Sequence, residues 1–136
     1  METNWEGVVV MPFVMVHALE RGIGQKRALV KALTAATCSA YKVVPETVTV
    51  YIQDYPDQNY GHAGKLGLDA TEQRAFIQIH AFPRPPELKR QLVKGITDAA
   101  VSAYDFPAKS VVVYIFDSEK TDCAHGGLLI SDTENG

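Results

Sequence analysis

The chain states one pattern twice. Residues Phe13 to Leu66 align without a gap onto Phe76 to Leu129 at a constant offset of 63, and 22 of the 54 paired positions are identical. FVMVHA is answered by FIQIHA, KRALVKALT by KRQLVKGIT, SAY by SAY, and VTVYIQD by VVVYIFD. A repeat of this length fixes the architecture as two copies of one supersecondary unit and makes the unmatched positions the informative ones. Each half, at about 60 residues, is marginal as a separate domain by surface-to-volume scaling. The 136 residues, 46% of them hydrophobic, are therefore expected to share one core.

Within each unit the hydrophobic period changes from two to about 3.6 and back, which predicts strand, helix, strand. In the first unit the strands are expected over Pro12 to Leu19 and Thr47 to Gln53, with a helix over Gly24 to Tyr41 whose inner face carries Leu29, Leu33, Ala36 and Ala40. In the second, strands over Phe76 to Phe82 and Ser110 to Phe116 flank a helix over Pro85 to Tyr104, with the prolines at its start, where a missing donor costs nothing. A β-α-β unit is normally right-handed. Two of them predict an α+β domain, a four-stranded sheet with both helices on one face. Residues 1–11 read as an extension, 12–66 as the first unit, 67–75 as a linker, 76–130 as the second unit and 131–136 as a tail, one structural domain overall. The strands place apolar groups on both sides, so the uncovered face predicts oligomerisation.

A net charge of -3 without a Lys/Arg cluster argues against nucleic acid or an anionic membrane as partner. The longest apolar run, Gly7 to Val16, is too short to span a bilayer, and METNWE lacks the basic start of a signal peptide. A cytoplasmic protein is expected. Cys38 and Cys123 are not repeat equivalents and are expected to stay reduced. No His, Cys, Asp and Glu set has metal spacing and no glycine-rich phosphate loop follows a strand, so neither metal nor cofactor is expected.

Met11-Pro12 before a strand, then LERGIGQKRALVKALT, then PETVTVYIQDYPDQNYGHAGKL, resembles 4-oxalocrotonate tautomerase, and the doubled chain resembles a fused, two-unit member of the tautomerase superfamily. The resemblance runs from Met11 to about Leu129. It implies a tautomerase/MIF-like fold, a homotrimer of two-unit chains, and an amino-terminal proline acting as general base or acid in enol-keto conversion of a small 2-oxo or 2-hydroxy-enoic carboxylic acid. Carried over residue by residue, the proline is Pro12, faced in the repeat by Ala75. The loop arginine is Arg21, with Arg84 as its repeat mate and the better candidate to serve Pro12. The family's strand arginine falls at Thr49 and Val112, and its aromatic wall at Tyr60, with Cys123 opposite. A fused branch that hydrates and dehalogenates haloacrylates implies a tyrosine at Tyr114, but its carboxylate falls at His125 and its helix histidine at Thr37. Tautomerisation is thus placed above hydration, and decarboxylation is left open. Read without the resemblance, the loop arginines are ordinary solvated residues, His17 and His80 packed strand histidines, and His62 and His125 turn residues beside glycine.

Inside a chain the proline nitrogen is an amide whose lone pair is delocalised, and it is no base near neutral pH. Activity therefore requires Pro12 to be the terminus. Trp5-Glu6-Gly7 can be encoded with a GGAGG ribosome-binding core, which leads to the expectation that translation starts at Met11 and that the methionine is then removed. The alternative is a catalytically inactive or ligand-binding trimeric protein with Pro12 internal.

Overall fold

A computed structural model describes residues 11–70 and 72–133. The extension expected over residues 1–11 lies outside them except for Met11, as does the end of the tail. The elements follow the repeat: β1 (Phe13–Leu19), α1 (Ile23–Tyr41), β2 (Thr49–Tyr55), a hairpin of β3 (Gly61–His62) and β4 (Lys65–Leu66), then β5 (Ala75–Ala81), α2 (Pro86–Tyr104), β6 (Val111–Asp117) and a second hairpin of β7 (Ala124–His125) and β8 (Leu128–Leu129). The second strand of each unit starts later than its residue pattern predicts. Pro45–Thr47 and Ala108–Ser110 form single 3-10 turns instead. Thr47 closes the first through its N–H and its hydroxyl, both donating to the Val44 carbonyl at 3.0 and 2.8 Å.

The sheet order is β2-β1-β5-β6, parallel within each unit and antiparallel where the units meet. Across that central seam Phe13 lies opposite His80, Met15 opposite Gln78 and His17 opposite Phe76. Met15 and Gln78 are also repeat mates, so a local twofold axis passes between them. Alternation sends Val14, Val16 and Ala18 of β1 and Ala75, Ile77, Ile79 and Ala81 of β5 to the helix side, where all are buried. Leu29 and Leu33 of α1 and Leu92 and Ile96 of α2 complete one core with no exposed atoms among them. By about 25 cal/mol per Å² of apolar area, each of these side chains contributes about 1.5–3 kcal/mol.

The helices approach closely where they are small. A Cβ placed on Gly95 would lie 3.1 Å from the Ala36 Cβ. Gly95→Ala should be nearly neutral, because a gain in helix propensity of about 1 kcal/mol offsets the slight crowding. Gly95→Leu must part the helices and is expected to cost about 2–3 kcal/mol in urea denaturation; an unchanged midpoint would show that the crossing is not tightly packed.

The opposite face of the sheet carries two rows of rings. Tyr51, Phe13, His80 and Phe116 form one, with successive centroids 5.8, 5.2 and 4.7 Å apart. Tyr55, His17, Phe76 and Tyr114 form the other, at 5.9, 5.1 and 5.3 Å. Each row crosses all four strands. Tyr51 is 55% exposed and Tyr114 54%. No helix of the described residues is long and apolar enough to cross a membrane.

Candidate active site

The antiparallel seam decides which candidate residues share an end of the sheet. Pro12, buried and just ahead of β1, offers its carbonyl to the Thr49 N–H at 3.3 Å. The same register brings the end of β5 alongside, and Arg84 follows three residues after Ala81. Pro12, Thr49 and Arg84 thus stand at one end. Arg21 and Tyr60 stand at the other, beside Ala75.

Both loop arginines cross to the opposite unit. Arg84 donates from Nη1 to the Phe82 carbonyl at 2.9 Å and the Pro83 carbonyl at 3.4 Å, and from Nη2 to the Tyr41 carbonyl, the last residue of α1, at 3.3 Å. Its guanidinium lies over the Tyr41 ring, 4.6 Å from the centroid. Arg21 repeats the arrangement, donating to the Leu19, Glu20 and Tyr104 carbonyls at 3.4, 3.2 and 3.3 Å, with Tyr104 and Phe106 rings 5.1 and 5.0 Å away. A helix end leaves carbonyls unsatisfied and a partial negative charge, so each arginine caps its partner unit's helix. Neither helix ends on glycine: Lys42 and Asp105 take the left-handed position at φ 59 and 60°. The sequence signal for this link is the retention of both arginine and the SAY tyrosine in both copies.

One difference separates the two ends. The linker residue Gln73 accepts a further bond from Arg21 Nη2 at 3.5 Å, and the Tyr60 hydroxyl holds that linker by donating to the Glu72 carbonyl at 3.2 Å and accepting from the Arg74 N–H at 2.8 Å. With four acceptors, the four Nη hydrogens of Arg21 are used. A guanidinium has five N–H donors, so Arg84 keeps two unclaimed among the described residues. The cavity of about 630 Å³ beside Arg21 is lined by Gln25, Gln73, Tyr104, Phe106 and Lys109, together with the acidic Glu72 and Asp105.

Burial lowers the Arg84 pKa, while Tyr41 and Asp117 act to raise it; an arginine stays charged at neutral pH all the same. Burial raises the Tyr41 hydroxyl, Arg84 opposes this and Asp117 adds to it. Lys89 pairs with Asp117 at 2.7 Å, as Lys26 pairs with Asp54 in the first unit. The thiols of Cys38 and Cys123 are free, and burial first, then Glu46 and Asp122 respectively, raises their pKa values. They have none of the electropositive surroundings that make a thiolate.

Two remaining candidates lie apart from Pro12 within one chain. Tyr114 faces the open side of β6 and pairs in register with Gln78, itself opposite Met15. Strand spacing and rise place it about 14 Å from Pro12. His125 is exposed in the second hairpin. Among the described residues no three His, Cys, Asp or Glu side chains form a group that could hold a metal ion.

The sequence profile of the family described as Tautomerase enzyme matches residues 12–68 and again residues 76–133. The chain belongs to the tautomerase enzyme family. It is similar over 55 residues, at 38% identity, to a 2-hydroxymuconate tautomerase of Comamonas testosteroni, covering 87% of that protein and 40% of this chain. A protein of Halalkalibacterium halodurans named a probable tautomerase matches at 41% over 56 residues, 92% of its length and 40% of this chain. Among solved structures, a fused 4-OT described as an asymmetric trimer superposes with a TM-score of 0.80 at 25% identity, over 88% of this chain and 96% of that one. A native fused 4-OT gives 0.83 at 24% identity over the same shares. This tautomerase-family chain is thus a fused, 4-OT-like member with the α+β fold of tandem β-α-β units that its sequence predicts.

Proposed function

We propose that this tautomerase-family chain, with Pro12 as its amino terminus, converts a small 2-hydroxy-enoic carboxylic acid to its 2-oxo form. The observation that carries the reading is that Pro12 and a charged Arg84, which keeps two N–H donors unclaimed among the described residues, stand at the same end of the sheet. A terminal secondary amine can be neutral close to physiological pH. It takes the proton of the enol hydroxyl, the O–H electron pair forms the carbonyl, and the alkene carbon receives the proton back from the prolinium. Arg84 holds the substrate carboxylate through a charge-assisted pair and offsets the charge that grows on oxygen. Thr49 stands beside Pro12 as a neutral wall. Tyr60, Tyr114 and His125 reach such a pocket only from a neighbouring copy, and Arg21 serves the fold.

The family relatives described as trimers support assembly of this chain as a homotrimer, with three proline sites. With Met11 still attached, the Pro12 nitrogen is an amide and the same pocket binds without turnover. A protein beginning at Pro12 is therefore expected to ketonise 2-hydroxymuconate or phenylenolpyruvate, followed by absorbance, while the 136-residue chain does not. Equal inertness of both forms would defeat the enzyme reading.

A further inference from the structure

Arg84 keeps two N–H donors for a substrate, and a carboxylate of its own chain is placed to compete for them. β5 and β6 pair so that Ala81 lies beside Asp117, and the Ser118 N–H donates to the Ala81 carbonyl at 2.8 Å. The next carbonyl along, that of Phe82, accepts from Arg84 Nη1 at 2.9 Å. Asp117 therefore borders the loop that holds the guanidinium, and its charge is felt by both Arg84 and the Tyr41 hydroxyl. Even so, the acceptors of Arg84 among the described residues are all carbonyls.

What Asp117 bonds instead is Lys89, whose Nζ donates to its Oδ2 at 2.7 Å. Lys89 stands in the first turn of α2, where its N–H closes on the Pro85 carbonyl at 3.2 Å, so the helix fixes its backbone. The two side chains are 31% and 37% exposed, and an ion pair this open to water adds little to folding. Its effect is local. Without that lysine, the carboxylate faces a guanidinium with two idle N–H groups, and these two groups readily form a bidentate fork. The fork occupies the donors that a substrate needs.

We propose that Lys89 is a positioning residue for the substrate site: by holding Asp117 it keeps this carboxylate off Arg84 and leaves the guanidinium open to the carboxylate of the substrate. The inference rests on the role of Arg84 proposed above. Two carboxylates then compete for one guanidinium before any chemistry, so the consequence falls on binding. If a released Asp117 takes Arg84 about nine times in ten, the open fraction is about one tenth and the apparent affinity falls about tenfold. Lys26 pairs with Asp54 in the same way at the other end. There the pair guards nothing, because the Nη hydrogens of Arg21 are already engaged.

Steady-state kinetics with phenylenolpyruvate, in the protein that begins at Pro12, test this. Lys89→Met is expected to raise KM about tenfold with kcat within about twofold, and Lys26→Met to leave both unchanged. The double variant Lys89→Met/Asp117→Asn is expected to return KM to within about twofold of the wild type, since the released competitor has lost its charge. An unchanged KM in Lys89→Met overturns the proposal. So does an equal rise in the single and double variants, which would make Lys89 a direct cation for the substrate. Arg84→Ala is measured alongside: wild-type kinetics there remove the role of Arg84 itself, whereas an impaired Arg84→Ala with a normal Lys89→Met removes only the role of Lys89. If Lys89→Met does not fold, Asp117→Asn alone decides, with KM at or below that of the wild type expected and a raised KM overturning it. If the protein shows no turnover, calorimetric Kd values for phenylpyruvate on the full chain and the same variants are read by the same ratios, and an absence of binding overturns the proposal.

Discussion

Pro12→Ala, in a protein that begins at residue 12, is expected to lower the rate of enol-acid ketonisation by at least about 100-fold, within the range of about 10²–10⁴ that general acid-base catalysis contributes. Alanine leaves an amine at the terminus. What it removes is the ring that fixes the nitrogen, since proline locks its backbone angle and alanine does not. Binding should survive, because Arg84 and its cap on α1 are untouched, so the loss is expected in kcat more than in KM. Intact mass must accompany the assay, because retained Met11 would turn the nitrogen into an amide and imitate an inactive variant. Full activity from Pro12→Ala would remove the proline from the chemistry.

The second large effect separates two arginines that the sequence treats as equivalents. Arg84→Ala is expected to reduce kcat/KM by about 100-fold, or about 2.7 kcal/mol, the scale of a lost donor to a developing oxyanion. Arg21→Ala is expected to stay within about threefold of the wild type, because its Nη hydrogens are already given to the Leu19, Glu20 and Tyr104 carbonyls and to Gln73. Both should lose about 1 kcal/mol of stability, since each leaves a part-buried carbonyl at a helix end without its donor. Arg84→Lys keeps the charge but not the fork and should fall between. Activity lost equally in folded Arg21→Ala and Arg84→Ala would show that Arg21 also reaches substrate.

Much of this is legible in the sequence. The two helices end at Tyr41 and Tyr104 as their periodicity indicates, because the inner stripe of Leu29, Leu33, Leu92 and Ile96 is long enough to read without ambiguity. The start of β2 was not, since Val48 and Val50 continue the same alternation as Thr47. What ends the pattern is local chemistry, a proline without an N–H and a threonine hydroxyl that takes the Val44 carbonyl. The destination of the arginines was hidden for a different reason. Each sits in its own repeat but bonds to the other, and a link between units leaves no period in either. Gln73 was hidden as well, being a polar linker residue until the fold lays it on Arg21.

The local twofold axis between Met15 and Gln78 carries a consequence for how such a chain can change. In an assembly of separate single units, any substitution appears at once in every copy and in every contact that copy makes. Here the polar linker makes the two halves separately heritable. Ala75 could lose its proline, and Gln73 could settle on Arg21, without touching Pro12 or Arg84. One half is then free to drift as a frame while the other remains answerable to chemistry.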